Sequence, residues 1–355
     1  MPKRRIAIFG YSDSVHIQRW AEGLQRRGNE VRVISCGGSP IEDIDTVVLS
    51  KFTRLSYLTQ GARARSAAEE FRPDIVHAHY AASFGWWARK FDYCPTIVSV
   101  WGSDAVQAVD SGWRRWMLRK VLTSANLVTA TSRYLAGVTR GVVPSLVGKI
   151  EVVPFSSEFP KQARPEPLED PIKICFIKAH SAVYGPEVLI EAMALVHKHL
   201  PEVRLSIAGQ GPLTSRLTKM VEKLGLENHV EFPGQIDFHK LSDYIQDHHM
   251  MVMPSLAESF GVAVLDASAC ARPVIASDVG GVKEVLRDGR TGLLVPPGDV
   301  EYLAAAILRL ASEPELRRGL GEEGRRFVLD RYSWDSCLDK MTALYERLID
   351  GHKKA

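Results

Sequence analysis

The sequence predicts an α/β protein built from two Rossmann-like, doubly wound parallel-sheet domains in tandem. Three observations carry that prediction. Short apolar runs of buried-strand type alternate with segments of helical period, which is how βαβ units read. A proline-rich, acidic stretch near the middle interrupts the alternation, which then starts afresh. The chain's 355 residues are enough to furnish two separate cores.

The first strand is expected over Ile6 to Phe9 and runs into a small polar turn, Gly10 to Ser14. A helix follows with Ile17, Trp20, Ala21 and Leu24 on one face and Gly28 as its stop signal. Further strands fall at Val31 to Ser35, Ile75 to Ala78, Thr96 to Val100, Leu127 to Ala130 and Glu151 to Val153. Between Phe155 and Pro171 four acids join Pro160, Pro165, Pro167 and Pro171, close behind Pro154. Such a stretch reads as a linker. The expected division is a first domain at 1–158, a linker at 159–171 and a second domain at 172–334. In the second domain, strand 172–177, helix 186–199, strand 203–208 and helix 213–224 restart the pattern. Strand Met250 to Met253, a helix over Val262 to Ala271 and strand Pro273 to Ser277 carry it onward to Val295. A last amphipathic helix follows Tyr332-Ser-Trp334, over about 335–355. Sheets wound this way place ligand crevices at the carboxyl ends of their strands, here facing one another across a central cleft.

Composition excludes several classes. Apolar residues make up 45% and charged ones 25%, as in ordinary globular proteins. No run approaches the roughly 18 apolar residues of a membrane span, and MPKRRIAIFG enters a strand too early for a signal peptide. Cys36, Cys94, Cys175, Cys270 and Cys337 lack paired spacing, so buried free thiols and a cytoplasmic location are expected. Charge is uneven. Residues 1–160 hold 21 Lys/Arg against 14 Asp/Glu, a net of +7, and 161–355 hold 24 against 28, a net of −4. Between Ser111 and Lys149 seven basic residues meet no acid. That half is expected to face something anionic. The run WRRWMLRKVL, residues 113–122, mixes Trp113, Trp116, Met117 and Leu118 with Arg114, Arg115, Arg119 and Lys120, as interfacial helices do. An anionic membrane surface is the expected partner, Arg54, Arg63 and Arg65 being placed to extend it. A core helix with a solvated basic face is the rival reading.

The chemistry concentrates in PSLAESFGVAVLDASACARPVIASDVGGVKE, from Pro254 to Glu284. A Gly-containing loop opens a helix there, which makes an anion site of the helix N-terminus. Glu258 and Asp266 bracket that N-terminus. Carboxylates repel phosphate alone, but they suit a ligand that carries hydroxyls beside its phosphates, as a nucleotide sugar does.

This stretch resembles the donor signature of the retaining glycosyltransferases of family 4, a GT-B-fold group whose pattern is Glu, seven residues, Glu. Glu258 and Asp266 occupy its two positions, the second shortened to Asp. The resemblance extends through IAGQGPL (Ile207 to Leu213), VEFPGQI (Val230 to Ile236), GGVKE (Gly280 to Glu284) and DGRTGLLVPPGD (Asp288 to Asp299). It implies a hexosyltransferase that takes a nucleoside diphosphate sugar, UDP-linked first and GDP-linked next, to a hydroxyl of a glycan or lipid-linked glycan. It implies the front-side retaining mechanism, with no cofactor and no nucleic-acid partner; His16, His77 and His79 have no metal-ligand company in the sequence, so no metal ion is expected. Glu258 would then accept from the sugar hydroxyls, and Asp266 would hold the ribose. Backbone N–H groups of Ser259, Phe260, Gly261 and Val262 would meet the distal phosphate. Gly209 and Gly211 would line the pocket, and Pro233, Gly234 and Gln235 would contact the base. The resemblance also implies that the closing helix packs on the first domain.

Two departures stand out. Where the family commonly carries an Arg and a Lys for the diphosphate, this chain reads FIKAHSAVYGPEVLIEA. Tyr184-Gly185 replaces Lys-Gly, leaving Lys178 as the candidate cation with His180 beside it. Where His-Gly is common, the chain has Trp101-Gly102-Ser103-Asp104, a variant familiar among polysaccharide-building members. Asp104 becomes the titratable candidate there. Ser14, His16, His79 and Trp101 are the acceptor-side candidates, with His77 on the same strand face as His79. Two rivals follow from the same residues: a GT-B sugar-nucleotide epimerase and a non-catalytic glycosyltransferase-like subunit.

Overall fold

The computed structural model describes residues 3–50, 59–89, 91, 93–156, 160–166 and 171–353; Arg54 and parts of the proposed linker lie outside them. It divides into two compact units, Met1–Pro154 with Asp335–Ala355, and Phe155–Trp334.

In the first unit, β1 (Arg5–Phe9), β2 (Glu30–Cys36), β3 (Asp45–Leu49), β4 (Ile75–His79), β5 (Thr96–Val100), β6 (Leu127–Ala130) and β7 (Ile150–Val152) form one parallel sheet. Its order is β3-β2-β1-β4-β5-β6-β7. Every residue of β4, β5 and β6 is buried, which is why these strands read as unbroken apolar runs rather than as alternation. The helix Val15–Arg26 buries Ile17, Trp20, Ala21 and Leu24, the face that its period predicts. Strand β3 is absent from the sequence reading. It is a half-buried edge strand whose pattern carries little signal.

The second unit repeats the plan with β8 (Lys173–Ile177), β9 (Arg204–Ala208), β10 (Val230–Gly234), β11 (Met250–Met253), β12 (Val274–Ser277) and β13 (Leu293–Val295). All pairs are parallel, in the order β10-β9-β8-β11-β12-β13. Ile174, Phe176, Ile207, Val252 and Ile275 from its strands meet Leu189, Met193 and Ile307 from its helices in one core. The helix Val262–Ala269 stops short of the expected Ala271, because Ala271 turns left-handed at φ 54° and ends it.

Described linker residues are pinned to the second unit. Arg272 is 2% exposed and donates to the carbonyls of Arg164 and Pro165, as well as to those of Gln246, His248 and Cys270. Arg325 donates to the carbonyls of Pro160 and Lys161, and Arg317 pairs with Glu166. The final helix, Trp334–Lys353, attaches to the first unit through Tyr345, whose hydroxyl lies 2.6 Å from Nδ1 of His77. Ion pairs from Arg27 to Asp335 and Asp339, and from Arg347 to Glu151, flank that contact.

Candidate active site

Each sheet has a switch point where neighbouring strands continue in opposite directions, between β1 and β4 in the first unit and between β8 and β11 in the second. Loops at the carboxyl side of such a point form a ready crevice.

In the second unit, Lys178 follows β8 and Glu258 follows β11. Lys178 Nζ lies 2.8 Å from Oε2 of Glu258, with side chains 19% and 11% exposed. The Tyr184 ring covers another side of the ammonium, its centre 4.8 Å from Nζ. The loops that carry this pair pack backbone to backbone. A Cβ on Gly209 (φ 123°) would lie 2.1 Å from the Lys178 carbonyl oxygen, so the turn tolerates only glycine there. At Gly281 it would lie 2.2 Å from the Ser259 carbonyl oxygen, and the Gly281 N–H donates to the Glu258 carbonyl at 3.0 Å.

The helix Val262–Ala269 starts beside Glu258, from a left-handed Gly261 with no side-chain cap and no acid in its first turn. A helix start of this kind carries the positive end of the helix dipole and favours an anion. The Phe260 ring is turned away from this start, buried against Tyr332. Ser259 and Val262 are half-buried at the same turn, and Asp266 is half-buried one turn into the helix. The end of β10 adds Pro233, Gly234 and Gln235, the Gly234 carbonyl accepting from Gly209 N–H at 2.8 Å. Sequence spacing concealed Tyr184, which reaches Lys178 through the short 3-10 turn Ala182–Tyr184.

His180 requires a correction. Its ring is fully buried beneath the Gly209–Gly211 turn, with Nδ1 2.8 Å from Thr214 Oγ1. Burial holds the imidazole below its ordinary value, so it adds no positive charge to the pocket. Its Nε2 is buried and has no partner among the described residues.

In the first unit, Ser14 precedes the helix Val15–Arg26 and His16 lies in its first turn, after β1. The His16 and Trp101 rings are 5.6 Å apart, Trp101 and His79 5.4 Å, and His79 and His77 3.9 Å. The acceptor-side candidates His16, His79 and Trp101 thus form one contiguous row of edge-to-face rings. Burial pushes His79 well below its ordinary range, with His77 and His16 adding to the effect. Neither of its ring nitrogens has a partner among the described residues. His77 lies deeper, fixed between Tyr345 and Ser99 Oγ, which is 2.6 Å from Nε2, and burial pushes it down to about 3.

Asp104 also requires a correction. It is 4% exposed and accepts from the N–H groups of Ala81 (2.9 Å), Trp101 (3.1 Å), Gly102 (2.9 Å) and Ala105 (3.2 Å). Both oxygens therefore shape the turn that presents Trp101. Buried and so engaged, it is a loop organiser and not a free acid or base.

The helix Gly112–Ser124 buries Met117, Leu118, Val121 and Leu122. Trp113 (63% exposed) and Trp116 (45%) stack at 5.0 Å on its outer face, and Trp86 stands 6.4 Å from Trp116. Arg114 donates to Gln107 Oε1 at 2.7 Å and Arg115 to the Val109 carbonyl, so these two hold the preceding loop. No described helix is long and apolar enough to cross a membrane.

Two family models cover the chain almost without a break: "Glycosyltransferase Family 4" over residues 14–155 and "Glycosyl transferases group 1" over 158–327. An uncharacterized glycosyltransferase of Methanocaldococcus jannaschii is 27% identical over 85% of this chain and 84% of its own. A GDP-mannose-dependent alpha-(1-6)-phosphatidylinositol monomannoside mannosyltransferase of Mycolicibacterium smegmatis is 30% identical over 68% of this chain and 66% of its own. Among solved structures, sucrose-phosphate synthase from Thermosynechococcus elongatus superposes with a TM-score of 0.85 at 23% identity, over 98% of this chain and 100% of that one. Anabaena HepE in complex with UDP and glucose gives 0.81 at 17% identity, over 97% and 99%. With both units matched in order and the whole architecture shared, the chain is a glycosyltransferase of the GT-B fold.

Proposed function

We propose that this glycosyltransferase is a retaining hexosyltransferase, which moves a sugar from a nucleoside diphosphate to a hydroxyl of a glycan or lipid-linked glycan. The observation that carries the reading is the Lys178–Glu258 pair at the second unit's switch point, beside an uncapped helix N-terminus. A carboxylate accepts strongly from sugar hydroxyls. An ammonium and oriented N–H groups take up the charge that develops on a departing diphosphate.

In the front-side reaction, the bond from the anomeric carbon to the phosphate oxygen breaks. The acceptor oxygen bonds to that carbon on the same face, and its proton passes to the departing phosphate. Glu258 fixes the hexose, Lys178 and the Gly261–Val262 turn hold the diphosphate, and Asp266 holds the ribose. The protein supplies position and electrostatics, and no metal ion takes part. UDP is favoured by the likeness to a protein solved with UDP and glucose, and GDP comes next through the GDP-mannose-dependent relative.

That relative's phosphatidylinositol-linked acceptor supports a lipid-linked acceptor here. The exposed Trp113–Trp116 pair, with Arg119 and Lys120 on the same helix, supports a peripheral, cytoplasmic-side placement on an anionic leaflet. The test is thermal shift against UDP, GDP and their sugars, since a ligand specific to the folded state raises stability by mass action. Glu258→Gln should then lower transfer far more than nucleoside diphosphate affinity. Equal losses of both would remove Glu258 from the sugar, and an epimer formed from donor alone would favour the epimerase.

A further inference from the structure

We propose that Tyr184 is a positioning residue of the donor site: its ring seats the Lys178 ammonium, so that a single lysine serves the diphosphate. The inference rests on the donor-site reading above and assigns a side chain that this reading leaves without a part. Lys178 Nζ is bounded by Glu258 Oε2 at 2.8 Å and by the Tyr184 ring face at 4.8 Å. An ammonium carries three N–H donors, so a contact to one carboxylate oxygen leaves capacity for a phosphate oxygen. The ring attracts the cation without neutralising it and without competing for a proton, whereas a second carboxylate there would do both.

The backbone fixes the ring in place. Gly185, left-handed at φ 64°, follows Tyr184 directly, and a Cβ on it would lie 2.1 Å from the Pro254 carbonyl oxygen. The turn that carries Tyr184 is therefore pressed against the loop that leads to Glu258. Leu256 N–H donates to the Val183 carbonyl at 2.8 Å, tying the same two loops one residue earlier. Ring, ammonium and carboxylate thus form a short row across the switch point.

The geometry also makes the cation transferable. The ammonium sits over residue 184, so a lysine at that position can put its own charge into about the same volume. Tyr184 then acts only through Lys178, which separates seating from mere packing.

The experiment measures the UDP and GDP dissociation constants by calorimetry, and donor turnover, for Tyr184→Phe and Tyr184→Leu, each alone and with Lys178→Ala. Tyr184→Phe keeps the ring and is expected to stay within about threefold of wild type. Tyr184→Leu is expected to lower turnover by about tenfold, the scale of a partly desolvated cation–π contact. Added to Lys178→Ala it should cost almost nothing further, because the cation it seats is already gone. Lys178→Ala with Tyr184→Lys should regain at least part of the lost nucleotide affinity. Equal losses from Tyr184→Leu in both backgrounds, or a Tyr184→Phe as damaging as Tyr184→Leu, would overturn the proposal while leaving the donor site intact. A Lys178→Ala that leaves both dissociation constants unchanged would overturn the proposal and the donor-site reading together.

Discussion

Removing Lys178 alone should destabilise the second unit, and neutralising Glu258 as well should restore it. At 2.8 Å the two charges attract by about 6 kcal/mol at an effective dielectric near 20, and by about 1.5 kcal/mol in water. With 19% and 11% exposure the site lies nearer the first value. Desolvation offsets much of that attraction while the pair is intact. Lys178→Ala removes the attraction and leaves the desolvation, because Glu258 stays covered without its cation. Breaking a fully buried pair costs about 3–5 kcal/mol, and the residual solvent contact here brings the expectation to about 2–3 kcal/mol. For a unit of this size that is about 5–10 °C in melting temperature. Two units are expected to melt as two transitions, and only the one belonging to Phe155–Trp334 should move. Glu258→Gln in the same chain replaces a charge by a neutral amide and should return most of the loss. Differential scanning calorimetry without ligand reads all three variants. An unmoved transition in Lys178→Ala, or a double variant less stable than the single, would refute the reasoning.

Asp266→Ala should weaken UDP or GDP binding by about 1–3 kcal/mol, the cost of an unpaired charge-assisted bond, as read by calorimetry; unchanged affinity would take Asp266 out of the ribose site. His77 is held neutral, down to about 3 from an ordinary 6.5, so between those values the unfolded chain binds a proton that the folded chain does not. Stability should therefore fall as pH falls, by about 2 kcal/mol between pH 7 and 5 from His77 alone, with His79 shifted in the same direction. Denaturant unfolding at the two pH values checks this, and a first-unit transition that is flat with pH would contradict it. Wild type should co-sediment with vesicles of anionic lipid and not with neutral ones, less so as salt rises. Trp113→Ala with Trp116→Ala, or Arg119→Gln with Lys120→Gln, should each weaken that binding about tenfold or more. Arg114 and Arg115 are left in place because they hold the preceding loop. Wild type that ignores anionic vesicles at low salt would point to a soluble acceptor.

Much of the fold was legible in the sequence because parallel strands buried on both faces leave runs such as Thr96–Val100 and Met250–Met253, whose ends fall where the sequence places them. Asp45–Leu49 escaped because a half-buried edge strand has neither a long run nor clean alternation. The helix Val262–Ala269 and its glycine entry were legible from the loop chemistry, and with them the place of Glu258. Its pairing with Lys178, which the sequence offers only as a diphosphate cation, was not. Lys178 is 80 residues away in sequence, and only strand order brings the two together. Asp104 illustrates the opposite failure. Its four donors are backbone N–H groups, which look the same at every residue, so nothing in Trp-Gly-Ser-Asp announces that the carboxylate is enclosed. The same holds for Arg114 and Arg115, whose composition suggests a free cationic face while their bonds turn back to the loop.

Tyr345 on the last helix has a consequence for how the chain is born. His77 is buried in β4, the centre of the first sheet, and among the described residues one of its ring nitrogens finds its partner in the Tyr345 hydroxyl. A buried nitrogen without a partner costs about 1–3 kcal/mol. The first unit's strands leave the ribosome long before that tyrosine does. At about 5–20 residues per second, the roughly 190 residues between Pro154 and Tyr345 take on the order of 10–40 s to synthesise. For that interval the nascent amino-terminal sheet carries an unfilled polar socket at its middle, while the second unit has all its strands in hand first. The domain begun first is thus completed last, its socket closed only when the final helix docks.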